Sequence, residues 1–246
     1  MKKRAILILV LLLILTSCAK EEVDEKLGYN MLLMGHSYFK PYANRIGELA
    51  IDAGLINHNQ TYVFLSGVSG FPIGLWNDTS AKNQRIKETL DAGNVDVFGM
   101  AADSRGLNES FEGTRNWIAY ALQNNPEITV FLSISSPNQP DSWEQTVQQS
   151  GFATVQEAFA AHTNQNVHIA LIDSLRAEFP STNIFSIPTG KASITIWQMH
   201  KDNLLLDNIA YIGPFENSLF TDTNGHQGEI TASTGALMWL KGIYKV

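Results

Sequence analysis

The sequence has a single cysteine, Cys18, among its 246 residues. One thiol cannot make an internal disulfide, a zinc knuckle or an iron–sulfur site. Basic residues are also scarce, with 17 Lys and Arg against 24 Asp and Glu and a formal charge of −7. Phosphate backbones are bound through a basic footprint, and its absence here excludes nucleic acid as a partner. No HExxH, P-loop or dinucleotide fingerprint occurs. His162 and His168 lack the carboxylates that would complete a metal site, and His58 and His200 lack a partner at diagnostic spacing, so no metal or cofactor is expected. What remains is ordinary globular material: 44% hydrophobic and 17% charged residues, far from the composition of chains that stay unfolded. The length is enough for one large domain with a real core.

The longest apolar run lies at the very start. Lys2, Lys3 and Arg4 precede Ala5 to Leu15, a charged start and a short apolar stretch that describe a secretory signal and fall short of a bilayer span. Leu15, Thr16, Ser17 and Cys18 then resemble the bacterial lipobox, in which the thiol is acylated and the chain is cut just before it. Ala19 follows, rather than the aspartate that would depart from the outer-membrane default of Gram-negative lipoproteins. The expected organisation is therefore a signal peptide over residues 1–17, a lipidated Cys18 with a charged tether to residue 27, and a folded domain over 28–246. Cleavage removes three cations and no acid, taking the formal charge from −7 to −10. Two or more acyl chains would hold such a protein stably on a membrane surface at the cell envelope.

From Gly28 onward, apolar runs alternate with helical patterns. Tyr29 to Met34, Thr61 to Leu65, Val95 to Met100, Ile128 to Ile134 and Asn183 to Ile187 have the length and apolar character of buried strands. Helices are expected over Asn44–Ala53, Ala81–Leu90, Phe111–Gln123, Asp141–Phe159, Asn164–Phe179 and Glu229–Tyr244. Strands separated by helices of ten or more residues imply right-handed crossovers, and so a three-layer α/β/α sandwich around a mostly parallel, flavodoxin-like sheet. Lys201 to Phe220 fits no element and reads as a surface excursion.

In open α/β sheets ligands bind at the carboxyl ends of strands. The first such loop holds Gly35, His36 and Ser37, which places a serine at a strand tip. Two readings of Ser37 stand: a nucleophile, or a cap for the following helix. A nucleophilic serine needs a base. His226, just before the last helix, follows Asp222 at a distance that lets the carboxylate fold back on the imidazole, although Asp222 and Asn224 are also plain turn formers.

Strand, then Gly35-His36-Ser37, then helix, with Asp222 and His226 before the final helix, resembles the SGNH/GDSL hydrolases. That superfamily's members are α/β/α esterases and lipases. The resemblance implies Ser37 as nucleophile, His226 as base, Asp222 as its orienting acid, and the amides of Ser37 and Gly70 as oxyanion donors, with Gly70 preferred to Gly67 in the SGVSG segment. Two positions depart from the pattern. Ala102 falls where the family carries an oxyanion asparagine, a donor whose loss costs about 2.7 to 4 kcal/mol of transition-state stabilisation. Asp222 lies four residues from His226 where three is usual. The activity implied is hydrolysis of a small acyl ester, such as an O-acetylated carbohydrate. The alternative, which the missing asparagine favours, is a non-catalytic surface domain that binds glycan or a protein partner. Trp76, in the loop after the oxyanion segment, is the tryptophan best placed in sequence to line a sugar site.

Overall fold

The computed structural model describes residues 28–106, 111–206 and 208–245. The expected signal peptide (1–17), Cys18 and the tether to residue 27 lie outside the described residues.

Five strands, β1 (Asn30–Gly35), β2 (Asn59–Phe64), β3 (Val97–Asp103), β4 (Thr129–Ser135) and β5 (Ile184–Ile187), make one sheet. Every neighbouring pair is parallel, in the order β2-β1-β3-β4-β5. This is the flavodoxin-like doubly wound order, in which winding reverses between β1 and β3 and leaves a crevice at their carboxyl ends. Nine α-helices flank or extend it among the described residues: α1 (Lys40–Asp52), α2 (Pro72–Trp76), α3 (Ala81–Asp91), α4 (Phe111–Leu122), α5 (Trp143–Ser150), α6 (Val155–His162), α7 (Asp173–Glu178), α8 (Gly190–Lys201) and α9 (Glu229–Tyr244), with a π-helical stretch, Thr163–Ile172, joining α6 to α7.

The strand period of two sorts the apolar residues onto two faces. Met31 and Leu33 of β1 pack with Tyr42 and Ile46 of α1 and with Trp239 and Ile243 of α9. Leu32 and Met34, one residue out of step, pack on the opposite face with Ile86 of α3, Trp117 of α4 and Ile194 of α8. Both faces are covered, and the three-layer α/β/α sandwich expected from the alternation is what forms.

Three local expectations change. β3 runs on past Met100 to Asp103, because Ala101, Ala102 and Asp103 continue the ladder against Ser133, Ile134 and Ser135 of β4. The single helix expected over Asp141–Phe159 is broken at Gly151, whose φ of +81° ends α5 in the left-handed region. A new helix starts at Thr154, whose side chain accepts from the Glu157 amide. Helix α8 has no counterpart in the sequence reading. Its Ile194-Thr195-Ile196 run disfavours helix by propensity, but burial of Ser193, Ile194 and Trp197 outweighs that preference.

The excursion after α8 forms a small two-stranded sheet, β6 (Ala210–Ile212) with β7 (Ser218–Phe220), joined through a 3₁₀ turn at Phe215–Asn217. A bridge from Phe220 to Gln227 then closes the loop that carries Asp222 and His226.

Candidate active site

Ser37 stands in the turn that leaves β1. The turn is closed by the amides of Phe39 and Lys40, both donating to the His36 carbonyl at 3.0 and 3.1 Å. Helix α1 begins with Phe39 at its cap position and without a side-chain cap, so Ser37 does not cap it. Its hydroxyl lies instead 2.7 Å from His226 Nε2.

The loop before α9 explains how a four-residue spacing reaches that geometry. The Gly225 amide donates to the Asp222 carbonyl at 3.1 Å, and the Thr221 amide to the His226 carbonyl at 2.8 Å, so the chain reverses on itself. Gly225 takes φ +92° to allow the reversal, a conformation glycine adopts without penalty. The Asp222 carboxylate accepts from the amides of Gly225 (3.1 Å) and His226 (3.2 Å), and its other oxygen lies 2.6 Å from His226 Nδ1. Burial pushes this carboxyl up, but the hydrogen bonds from His226 and Gly225 outweigh it and hold Asp222 below the usual carboxylate range. As an anion it can only accept, so Nδ1 carries the proton and the Nε2 lone pair faces Ser37.

Tyr38, which the sequence reading does not flag, ties the two loops together. Its hydroxyl donates to the Asn224 carbonyl and its ring lies 4.8 Å from that of His226. Burial, together with the nearby Asp222 charge, pushes the Tyr38 phenol up and keeps this donor protonated.

Beside Ser37 opens a cavity of about 150 Å³ at the β1/β3 crevice, with His36, Gly67, Val68, Asp103 and Arg105 in its wall. Two expectations shift here. Gly67 and Val68 reach the cavity, whereas Gly70 is packed behind it, where a β-carbon would collide with the Leu65 and Gly35 carbonyls and the His36 side chain. Gly67 opens the 3₁₀ turn Gly67–Gly70, and the first amides of such a turn have no partner within it. At β3, Ala102 is fully buried in the helix-covered core, and the residue presented at the strand tip is Asp103. Asn138, from the loop after β4, also lines the cavity. The Asp103 carboxylate accepts from the Arg105 amide at 2.9 Å and lies 3.4 Å from Arg105 Nε, so a carboxylate–guanidinium pair takes the place of the expected asparagine.

His36 completes the wall in an unusual state. Its Nδ1 accepts from the Tyr38 amide at 3.2 Å, which leaves the proton on Nε2, and that buried atom has no hydrogen-bond partner among the described residues. Burial pushes its pKa down to about 4, against the pull of Asp103. A histidine held neutral by the fold stabilises it fully above the unfolded pKa near 6.5, and that contribution is lost as pH falls toward 4. We expect this one group to cost on the order of 3 kcal/mol between those limits. Denaturant unfolding at pH 7.5 and 4.5 should therefore show a shallower acid loss in His36→Gln than in wild type, and equal losses would refute the assignment.

The remaining sequence candidates lie elsewhere. Trp76 packs edge-on against Trp117 at 4.9 Å, with Lys87 over its ring, and belongs to the core rather than to the cavity. His58 pairs with the Tyr244 hydroxyl at 2.6 Å, and His200 with the Ile209 carbonyl at 3.1 Å. Among the described residues no group of three or more His, Cys, Asp and Glu could hold a metal ion.

No protein-family model matches the sequence, and no curated protein matches it. Solved structures do. The periplasmic domain of a lipopolysaccharide acetyltransferase from Salmonella ser. Paratyphi A superposes with a TM-score of 0.50 at 13% identity, over 87% of this chain and 82% of that one. A family 3 carbohydrate esterase from Clostridium thermocellum gives 0.48 at 14%, over 89% of this chain and 98% of that one. The likeness is one of fold.

Proposed function

We propose that the protein is a serine esterase that hydrolyses a small acyl ester, an O-acetylated carbohydrate being the favoured substrate. The observation that carries this reading is the unbroken path from Asp222 through His226 to Ser37, with distances of 2.6 and 2.7 Å, beside a cavity at the switch point of the sheet. In this reading Ser37 Oγ attacks the ester carbonyl while His226 Nε2 takes its proton, and Asp222 stabilises the imidazolium that results. The amides of Ser37 and Gly67 receive the developing oxyanion. The tetrahedral intermediate collapses as His226 returns the proton to the leaving alcohol, and water then releases the acyl group by the same steps in reverse roles.

An acetyl group is supported by the Salmonella neighbour, which is named an acetyltransferase and a periplasmic domain, and by the small volume beside Ser37. The lipobox-like Leu15-Thr16-Ser17-Cys18 supports anchoring of the domain 28–246 to the cell envelope through Cys18. Among the described residues no helix is long and apolar enough to cross a membrane. The non-catalytic alternative is disfavoured, because a binding domain has no need of a serine, a histidine and an acid aligned in this way.

The test is covalent. A fluorophosphonate should modify Ser37, located by peptide mass spectrometry, and block turnover of 4-nitrophenyl acetate. Absence of both labelling and turnover in the folded protein would overturn the reading.

A further inference from the structure

Two cavities flank the Ser37–His226 pair, and each touches one member of it. Ser37 borders the 150 Å³ cavity with Gly67 and Arg105. His226 borders a second groove of about 430 Å³, between α1 and the 201–220 excursion, together with Asn44, Thr221 and Phe215. The chemistry assigns their contents, an assignment that rests on the esterase reading. The carbonyl oxygen must meet the Ser37 and Gly67 amides, which draws the acyl group into the first cavity. Engineered cavities of about 150 Å³ hold a benzene-sized group at most, which suits acetyl or a short acyl chain. The leaving oxygen must receive its proton from His226 Nε2, so the alcohol portion extends over the second groove. Its volume lies within the roughly 300 to 1,000 Å³ of small-molecule sites.

The groove has a distinctive wall. Phe215, in the 3₁₀ turn of the excursion, is 43% exposed, and its ring meets no other aromatic ring among the described residues. An exposed aromatic face inside a concave surface is a platform for an apolar ligand face. Asn44 is exposed, and its side-chain amide has no hydrogen-bond partner among the described residues. Thr221 adds a hydroxyl on the same side, 3.3 Å from the His226 carbonyl. The charged lining residues carry both signs, Lys40 and Arg45 against Glu48 and Glu229, with Arg45 engaged by Glu48 and Ser233 and Lys40 lying over the Phe64 ring, so the wall favours no net charge on the ligand. We propose that this groove binds the alcohol portion of the ester as a neutral pyranose ring, with its C–H face on Phe215 and its hydroxyls on Asn44 and Thr221. The 201–220 excursion then exists to supply the platform.

The experiment compares two acetyl esters of unlike alcohols, methyl 6-O-acetylglucopyranoside and ethyl acetate, in wild type, Phe215→Ala and Phe215→Leu. For the sugar ester, KM should rise about tenfold in both variants with kcat within twofold, the scale of one lost pocket contact. Kinetics with ethyl acetate should not move. The leucine variant keeps apolar bulk without a flat ring, so it serves if the alanine variant fails to fold. Unchanged KM for the sugar ester, or equal losses on both esters, would overturn the groove assignment while leaving Ser37 chemistry in place. A wild type inactive on both esters and unlabelled at Ser37 would instead overturn the esterase reading beneath it.

Discussion

Replacing Ser37 with alanine should lower kcat for 4-nitrophenyl acetate by on the order of 10⁴- to 10⁶-fold, the scale at which triad members act as a unit. The hydroxyl removed is the one 2.7 Å from His226 Nε2, and no cysteine can replace it, since the only one is Cys18. Binding should change little, because the cavity wall of Gly67, Asp103 and Arg105 is untouched. Residual rate would come from the backbone donors and from binding alone. His226→Ala should fall to a similar floor, and the double variant should fall no further, because a base without a nucleophile has nothing to deprotonate. Active-site titration must accompany the rates to exclude a contaminating esterase. Rates for Ser37→Ala equal to wild type would sink the mechanism, and additive losses in the double variant would show that the two side chains do not act on one step.

The geometry of the candidate site was readable in the sequence to the extent that it depends on position along the chain. Gly35-His36-Ser37 follows an apolar run, and a serine there must emerge at the carboxyl end of a strand whatever the rest of the fold does. Asp222 and His226 were visible because the loop between them is built from turn residues, and the turn itself brings the carboxylate onto the ring. The proposed oxyanion side was harder for a physical reason. Where β3 stops is set by its pairing with β4, and Ala101-Ala102 fits a strand or a loop equally well, so Asp103 rather than Ala102 could be found at the tip only in three dimensions. Likewise SGVSG offers two glycines, and only the packing of Gly70 behind Gly35 shows that Gly67 is the one facing the cavity. Helix α8 was hidden by its β-branched run, whose local preference is overruled by burial on the sheet. Phe215 and Asn44, far apart in sequence, share a groove that no local pattern announces.

The second large effect concerns a proton's position rather than a lost atom. Asp222→Asn keeps size and shape, and its amide oxygen can still accept from the Gly225 and His226 amides that hold the turn at 3.1 and 3.2 Å. What changes is the partner of His226 Nδ1, which now lies 2.6 Å from a carboxylate oxygen. An amide can present its NH₂ group there instead. Nδ1 must then become the acceptor, the ring proton moves to Nε2, and the nitrogen facing Ser37 can no longer take the hydroxyl proton. The expected loss is about 10⁴-fold in kcat at neutral pH, with fluorophosphonate labelling of Ser37 slowed in parallel. Stability should respond far less, and its pH dependence supplies the control. The wild-type carboxyl is held below the usual range, so its contribution is present above the unfolded pKa near 3.9 and is lost as pH falls through the lower folded value. The asparagine variant should lack that acid-side loss, so any stability deficit it shows at pH 7 should close as pH falls below the carboxylate range. A variant that keeps activity within tenfold would show that the imidazole is oriented by another group, and Asp222 would then be a turn residue only.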